Sequence, residues 1–130
     1  MRVVTERLRI SSDSPFEPTI GFSRAVRVGD RVVVSGTGPV VPGGRCPDAA
    51  EAQARRCFQI IEAALAEAGA SLDDVVRTRM YLTSAGDGDA VGTVHGELLG
   101  HVRPAATMVV VAGLLDPAWK VEIEAEAVLP

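Results

Sequence analysis

The stretch RPAATMVVVAGL, residues 103–114, does most to decide the fold of this 130-residue chain. An arginine and a proline open it, two alanines follow, and then comes an almost unbroken apolar run. The run predicts a buried strand over Thr107 to Ala112, in which Val109 to Val111 offer no polar side chain to either face. The polar opening is either the mouth of a binding site or simple chain punctuation.

The last apolar segment, KVEIEAEAV, alternates between apolar and acidic residues. Side chains alternate across a strand, so the apolar set faces the helices and the three glutamates line the opposite face of the sheet. That face must be either hydrated or shared with another subunit. Together with the two-sided apolar strand before it, this pattern predicts a homo-oligomer.

Apolar periodicity, turn formers and helix caps predict the order β-β-α-β-α-β-β. Two helices that each follow strands of one sheet pack on one face of it, which gives an α+β class with a single mixed sheet. We expect one domain over residues 1–130, with residues 1–10 as an N-terminal extension or a short edge strand. The predicted strands are an edge strand near Glu6–Ile10, the hairpin strands Ala25–Val28 and Arg31–Ser35 about the Gly29-Asp30 turn, and strands over Val75–Leu82, Thr107–Ala112 and Val121–Val128. The predicted helices run from a capping box of Asp48 and Glu51 to Gly69, and from Asp87 or Asp89 to Gly100. Loops are predicted over Ser11–Gly21 and Gly36–Gly44.

Composition excludes several classes of protein. The chain is 47% hydrophobic, so it can fill a core, but its net charge of −4 and 4% aromatic content argue against nucleic-acid binding. No apolar run approaches the ~20 residues that span a bilayer, and the N-terminus lacks the apolar region of a signal peptide. We therefore expect a soluble cytoplasmic protein in which Cys46 and Cys57 are free thiols.

No motif for a metal or a cofactor is present. His95 and His101 lack the HExxH arrangement, and the loop GTGPVVPGG lacks the lysine and the following helix of a phosphate-binding loop. We therefore predict that the protein uses neither a metal nor a cofactor.

Four local features could form a polar site. The turn SGTG, residues 35–38, exposes backbone N–H groups and two hydroxyls that could hold an anion or a carbonyl oxygen, although local evidence favours a plain turn. Glu122 lies within a predicted strand, where burial would raise its pKa and suit it to proton transfer; the alternative is a hydrated or interface glutamate. Arg24 and Arg103 flank strand ends and could each bind a carboxylate or form a surface ion pair.

Three segments carry a resemblance to a known family. They are GFSRAVRVGDRVVVSGTGP, QARRCFQIIEAALAEAGASLDDVVRTRMYLT and RPAATMVVVAGLLDPAWKVEIEAEAV, and in this order and spacing the chain resembles the RidA/YjgF enamine/imine deaminases over residues 20–129. The resemblance implies a chorismate-mutase-like fold, a homotrimer with three ligand clefts between subunits, and hydrolysis of 2-imino acids to 2-oxo acids and ammonia without a cofactor.

The resemblance also implies roles for individual residues. Glu122 matches the glutamate that positions water, and Ser35 and Gly36 match the Ser-Gly turn of the cleft. The substrate-binding arginine of the family pattern Pro-Ala-Arg-Ser/Thr is replaced by Ala106. Arg103 lies three positions before it, on the opposite face if the strand is regular there. The remaining departures are Met108 where a small residue is common, Phe22 near a tyrosine position, and Gly92 and His95 where the family has asparagine and tyrosine.

The first functional expectation is a RidA-like protein that hydrolyses an imine, enamine or related C–N bond through Glu122, with weak activity on 2-iminobutyrate-type acids. The alternative is a homotrimer of the same fold that binds a metabolite without turnover. Nuclease activity, which is attached to some family names, is disfavoured by the acidic charge. The expected ligand-binding residues are Phe22, Arg24, Ser35, Gly36, Thr37, Arg103, Ala106 and Met108, with Arg24 as the candidate contact for an anionic group.

Overall fold

A computed structural model describes residues 6–12 and 14–130 of the chain. Two α-helices and six strands account for the regular structure of these residues, and three short turns of helix join them. The strands are β1 (Arg7–Ile10), β2 (Ala25–Val28), β3 (Arg31–Thr37), β4 (Val75–Leu82), β5 (Ala105–Val110) and β6 (Val121–Val128), the helices α1 (Ala50–Glu67) and α2 (Gly88–Leu99), and the short turns Glu17–Gly21, Leu72–Asp74 and Ala85–Asp87.

The six strands form one mixed sheet in the order β1-β2-β3-β6-β4-β5. All neighbouring pairs are antiparallel except β4 and β5, which run parallel because α2 carries the chain back between them. This arrangement confirms the predicted α+β class with a single mixed sheet. It also makes β5 an edge strand.

Side-chain alternation along β6 places the core on the helical side of the sheet. Val121, Ile123, Ala125 and Ala127 are at most 2% exposed, whereas the glutamates between them are half-buried on the other face. Helix α1 packs on the apolar face and contributes Phe58, Ile61 and Leu65. The predicted division of the last strand into a core face and an acidic face is therefore confirmed. We call the face that bears the glutamates the outer face.

Strand β5 differs from its prediction in two respects. It spans Ala105–Val110, two residues earlier than expected, because its parallel pairing with β4 begins at Arg77 and Ala105. In addition, Val109 and Val110 are 41% and 54% exposed, because no strand among the described residues pairs with the free edge of β5. The expected burial of both faces is not provided by one copy of the chain.

Three other boundaries were predicted wrongly. Helix α1 begins at Ala50 without a side-chain cap, because Asp48 lies outside the helix and pairs with Arg45 at 3.4 Å. The predicted loop over residues 11–21 contains a π-helical turn, Glu17–Gly21, which is closed by a bond from the Phe22 N–H to the Glu17 carbonyl. Strand β3 continues to Thr37, through two residues that were expected to begin a loop.

No helix in the described part of the chain combines the length and the apolar character needed to cross a membrane.

The loop that precedes β6 is packed on Gly38 through the indole ring of Trp119. A methyl group at position 38 would lie 2.6 Å from two carbons of that ring. We therefore expect Gly38→Ala to destabilise the fold by about 1–2 kcal/mol, because the ring or the backbone must move. Thermal or urea unfolding measures the change. Gly44→Ala is the matched control, since its methyl would meet only Val41 at 3.5 Å, and an equal loss in both variants would contradict this explanation.

Candidate functional site

The candidate site forms at an irregularity in β3. The register between β3 and β6 shifts between Val34 and Thr37, which leaves Ser35 and Gly36 in a bulge. Bulges of this kind redirect the chain at a strand end and are frequent beside binding sites. Here the bulge brings the backbone of Gly36 against the side chain of Glu122.

Gly36 is needed because Glu122 approaches its backbone closely. A Cβ atom built at position 36 would lie 2.7 Å from Glu122 Oε2, which is shorter than van der Waals contact. Any other residue would therefore displace the carboxylate. Gly36 of the SGTG turn is therefore required by its contact with Glu122. The local sequence does not reveal this contact.

Glu122 is a half-buried carboxylate on the outer face, opposite Tyr81 in the register of β4 and β6. Burial raises its pKa above the usual 4.5, and the negative charge of Glu124 adds to this, while Arg24 acts in the opposite direction. A carboxylate with a raised pKa is suited to accept and return a proton near neutral pH.

The Arg24 guanidinium lies beside the same bulge. Its Nη1 donates to the Gly36 carbonyl at 2.9 Å and to Thr37 Oγ1 at 2.8 Å, and its carbon Cζ lies 5.8 Å from the centre of the Phe22 ring. Among the described residues it forms no direct ion pair with Glu122. Burial lowers the pKa of Arg24, but Glu17 and Glu122 both favour its charged form.

The two hydroxyls of the turn bind to the protein backbone. Ser35 Oγ donates to the Ser23 carbonyl at 2.6 Å, and the buried Thr37 hydroxyl donates to the Ser35 carbonyl at 2.8 Å. These bonds tie the start of β2 to the end of β3. They fix the shape of the bulge and leave its backbone facing Arg24 and Glu122.

Six of the nine predicted site residues therefore come together, and three do not. Ala106 and Met108 pair with Thr78 and Met80, whose side chains are buried on the helical side of the sheet. In a single chain they thus lie across the sheet from Glu122. The six that come together are Phe22, Arg24, Ser35, Gly36, Thr37 and Glu122.

Arg103 lies apart from both groups. It is exposed in the turn between α2 and β5, with φ of 53°. The prediction that it faces away from Ala106 assumed a regular strand at position 103. Because β5 begins at Ala105, strand alternation does not apply to Arg103.

The surface near Ala106 contains a histidine that sequence analysis noted only as a departure from the family pattern. His95 Nε2 lies 2.8 Å from Thr78 Oγ1, and its ring meets Phe58 edge-on. Burial lowers the pKa of His95, so the imidazole is neutral at pH 7. We call Ala106, Met108, Thr78 and His95 the helical-side group.

Glu17 is a second residue that sequence analysis missed, because it falls in the segment predicted to be a loop. It is 7% exposed, and its carboxylate accepts hydrogen bonds from Ser11 and Ser12. A glutamate directly before a proline in a turn-rich segment carries little signal for burial. Only the folded chain shows that it lies near Arg24.

A groove of about 570 Å³ lies away from these residues, with Cys46, Asp116 and Trp119 in its lining. None of the nine predicted site residues lines this groove. The close contact between Gly36 and Glu122 therefore locates the candidate site better than cavity size does.

The raised pKa of Glu122 predicts a pH-dependent stability. The carboxyl binds its proton more tightly in the folded chain, so its contribution is fully present below the unfolded value near 4.5 and is lost as pH rises through the folded pKa. We expect Glu122→Gln to be more stable than the unsubstituted chain at pH 7, with the difference shrinking towards pH 4. Thermal unfolding across this range measures it. Glu62→Gln, at an exposed position on α1, should show no such trend.

Comparison with known proteins identifies the family and the fold of the chain. The family model described as Endoribonuclease L-PSP matches residues 12–129. A crystal structure of a YjgF/YER057c/UK114 family member from Mycobacterium tuberculosis is 46% identical, covers 95% of this chain and 100% of its own, and superposes with a TM-score of 0.88. A RutC family protein of Pyrococcus abyssi is 35% identical over 75% of this chain and 79% of its own.

A more distant structure extends the same result. The YjgF gene product of Escherichia coli is 28% identical, covers 92% of each chain and has a TM-score of 0.78. The family match covers nearly all the described residues, and the six-stranded sheet with two helices on one face is shared with these structures. This chain therefore belongs to the RidA/YjgF family, whose family model bears the name Endoribonuclease L-PSP.

Proposed function

We propose that the chain hydrolyses a small imine, enamine or related C–N bond at the site formed by Glu122, Gly36 and Arg24. The observation that carries this proposal is the close approach of the Glu122 carboxylate to the bulge at Gly36, in surroundings that raise its pKa. A carboxylate in this state can hold a water molecule and take a proton from it.

The reaction balances with water as the only co-reactant. The substrate enters as the protonated imine: Glu122 accepts a proton from water while the oxygen adds to the imine carbon, and the C=N electron pair moves to nitrogen, which becomes a neutral amine. The protonated Glu122 then returns its proton to the nitrogen of the addition product. The C–N bond breaks, ammonia leaves, and loss of the hydroxyl proton gives the carbonyl compound.

The proposed site needs more than one copy of the chain. Within one copy the helical-side group lies across the sheet from Glu122, so both can face one ligand only if a second copy supplies one of them. The exposed Val33, Val109 and Val128 give the outer face an apolar component beside its glutamates. These features support a homotrimer with ligand clefts between subunits.

We expect the purified chain to be a trimer at micromolar concentration. Burial of the exposed outer-face valines and of the free edge of β5 supplies the driving force. Light scattering or native mass spectrometry measures the assembly. A stable monomer under these conditions would contradict the inter-subunit cleft.

Arg24 is the proposed contact for an anionic or polar group of the ligand. One nitrogen, Nη1, is held by Gly36 and Thr37. In the described part of the chain no hydrogen bond from Nε or Nη2 is present, so these donors can face a ligand. The fork geometry of arginine suits a carboxylate or a similar group.

Ala106 limits the choice of substrate. The resemblance places the substrate-binding arginine of the family at this position, and an alanine cannot bind a carboxylate. We therefore propose that 2-iminobutyrate and similar acids are poor substrates. This same observation favours the second candidate function, a homotrimer that binds a metabolite without turnover.

A binding experiment tests the site apart from catalysis. We propose titrating the isotope-labelled chain with 2-oxobutyrate, the product of 2-iminobutyrate hydrolysis, and following the NMR signals of Glu122, Arg24, Ala106 and His95. Binding in a shared cleft predicts that both groups of signals respond with one affinity, and that Arg24→Ala weakens binding. If 2-oxobutyrate shifts the signals of other residues to saturation while the signals of these four residues stay unchanged, the proposed site is overturned.

A further inference from the structure

The imidazole of His95 is held in one orientation on α2, yet the proposed proton transfer does not use it. Its Nε2 lies 2.8 Å from Thr78 Oγ1, and its ring meets the Phe58 ring at 66°, with the ring centres 5.9 Å apart. Thr78 is 1% exposed and Phe58 is 2% exposed. One side of the imidazole is therefore anchored in the core.

The buried hydroxyl of Thr78 decides which ring nitrogen carries the proton. Among the described residues this hydroxyl has no hydrogen-bond partner other than His95 Nε2. If Nε2 carried the ring proton, it would donate to Thr78 Oγ1, and the proton of the buried hydroxyl would have no acceptor, which is unfavourable. If the hydroxyl donates to Nε2 instead, both groups are satisfied. The proton of the neutral ring then lies on Nδ1.

The second ring nitrogen, Nδ1, is accessible from outside the protein. It forms no hydrogen bond with the described residues, and among them no buried side-chain nitrogen or oxygen lacks a partner. Because His95 is only partly buried, an unpartnered Nδ1 must therefore be exposed to solvent. The ring thus presents one N–H donor outward, while Thr78 fixes its other nitrogen.

The strand register places this donor beside Ala106. Thr78 is the partner of Ala106 in the parallel pairing of β4 and β5, and both side chains lie on the helical side of the sheet. Met108, two residues further along β5, faces α2: a methyl group added at Gly92 would lie 4.0 Å from its Cε. A ring bonded to Thr78 therefore belongs to the same small surface as Ala106 and Met108.

No positive charge is available on this surface at neutral pH. Ala106, Met108 and Thr78 are uncharged. Burial lowers the pKa of His95, and no charged group among the described residues contributes to that shift. A carboxylate placed here would lose water without gaining a countercharge, which is unfavourable. A neutral carbonyl oxygen requires only a hydrogen-bond donor, and the Nδ1–H of His95 supplies one.

We propose that His95, held by the Thr78 hydroxyl, determines specificity by donating its Nδ1–H to a neutral carbonyl oxygen, so that the substrates are 2-imino carboxamides and not 2-imino acids. This inference rests on the proposed function for the identity of the bond that is hydrolysed. The recognition of the carbonyl oxygen is a binding event and is measurable without turnover. Hydrolysis of such a substrate gives a 2-oxo carboxamide and ammonia, so the 2-oxo carboxamide is a stable probe.

The test compares the binding of 2-oxobutanamide and 2-oxobutyrate, which differ only in a carboxamide against a carboxylate. We expect the unsubstituted chain to bind the amide about three- to tenfold more tightly, the usual effect of one neutral hydrogen bond. In His95→Phe this ratio of dissociation constants should fall to about one, because the phenyl ring fills the same place but has no donor. An unchanged ratio in a folded His95→Phe variant would overturn the proposal.

Two substitutions at position 78 separate the hydroxyl from the shape of the side chain. Thr78→Ser keeps the hydroxyl and should keep the preference for the amide, whereas Thr78→Val keeps the shape and should reduce that preference. Thr93→Val is the matched control, since Thr93 is exposed on α2 and its hydroxyl donates to the Asp89 carbonyl at 2.9 Å. Equal ratios in Thr78→Ser and Thr78→Val would overturn the role given to the hydroxyl.

The unsubstituted chain provides a test that does not depend on whether any variant folds. The ¹⁵N NMR shifts of His95 at pH 7 should show the proton on Nδ1, and 2-oxobutanamide should shift that signal as it binds. A proton on Nε2, or no response of His95 to the amide, would overturn the proposal. Absence of imine hydrolysis would leave the tautomer and the affinity ratio intact. Hydrolysis that depends on Glu122, together with equal affinity for the two probes, would overturn this inference alone.

Discussion

Glu122→Gln should slow imine hydrolysis by roughly 10²–10⁴-fold, the usual contribution of a positioned acid–base group. Glutamine has the same size as glutamate and fits against Gly36, so the cleft stays intact, but it cannot accept a proton from water. The loss should therefore fall on kcat, with a smaller change in KM. Ammonia release above the spontaneous rate measures both constants.

Glu124→Gln is the matched control for this prediction. Glu124 lies two residues further along the same strand on the same face, where it accepts hydrogen bonds from Tyr81 at 2.7 Å and from Arg79 at 3.2 Å. Burial raises the pKa of Glu122 more than the charge of Glu124 does, so the loss of Glu124 should reduce turnover far less than the loss of Glu122. A similar fall in both variants would show that the outer face matters through assembly and not through proton transfer at Glu122.

Ala106→Arg should raise the kcat/KM for 2-iminobutyrate by roughly ten- to a hundredfold. A charge-assisted hydrogen bond to a carboxylate contributes on the order of 1.5–3 kcal/mol, and this substitution supplies the arginine that the resemblance places here. Ala106 is exposed in the single chain. The region therefore has room for a longer side chain.

Ala106→Gln tests whether such a gain comes from charge or from added bulk. Glutamine is long and polar but neutral, so it should give at most a small increase. Ala106→Arg should also leave the hydrolysis of an imine without a carboxylate unchanged. An equal rise in kcat/KM for both kinds of imine would contradict the role given to position 106. So would an Ala106→Arg variant that folds and forms a trimer but shows no rise in kcat/KM for 2-iminobutyrate.

Much of the fold could be predicted because burial of one sheet face imposes a period of two on the sequence. Strand β6 shows this directly: Val121, Ile123 and their apolar neighbours are buried, and Glu122 lies on the other side. The edges of elements were harder to predict. Asp48 has the residue type of a helix cap, but its side chain pairs with Arg45 instead, and the parallel register with β4 sets where β5 begins.

The site was only partly predictable for a related reason. Residue types singled out Glu122, Arg24 and Ser35, but the contact between Glu122 and Gly36 depends on a bulge in the β3–β6 register. The burial of Glu17 likewise depends on a π-helical turn and on the serines that bind its carboxylate. Neither feature has a local sequence pattern. The placement of Ala106 and Glu122 on opposite faces is likewise set by the registers of β5 on β4 and of β4 on β6.

The most direct test of the central claim is a rate measurement on two imines generated in solution. One is 2-iminobutyrate, formed by an amino-acid oxidase, and the other is its analogue without a carboxylate, propan-1-imine, formed by an amine oxidase. We predict acceleration of propan-1-imine hydrolysis that is lost in Glu122→Gln, with weak turnover of 2-iminobutyrate that rises in Ala106→Arg. Robust turnover of 2-iminobutyrate by the unsubstituted chain, or no acceleration of either imine that depends on Glu122, would contradict the account.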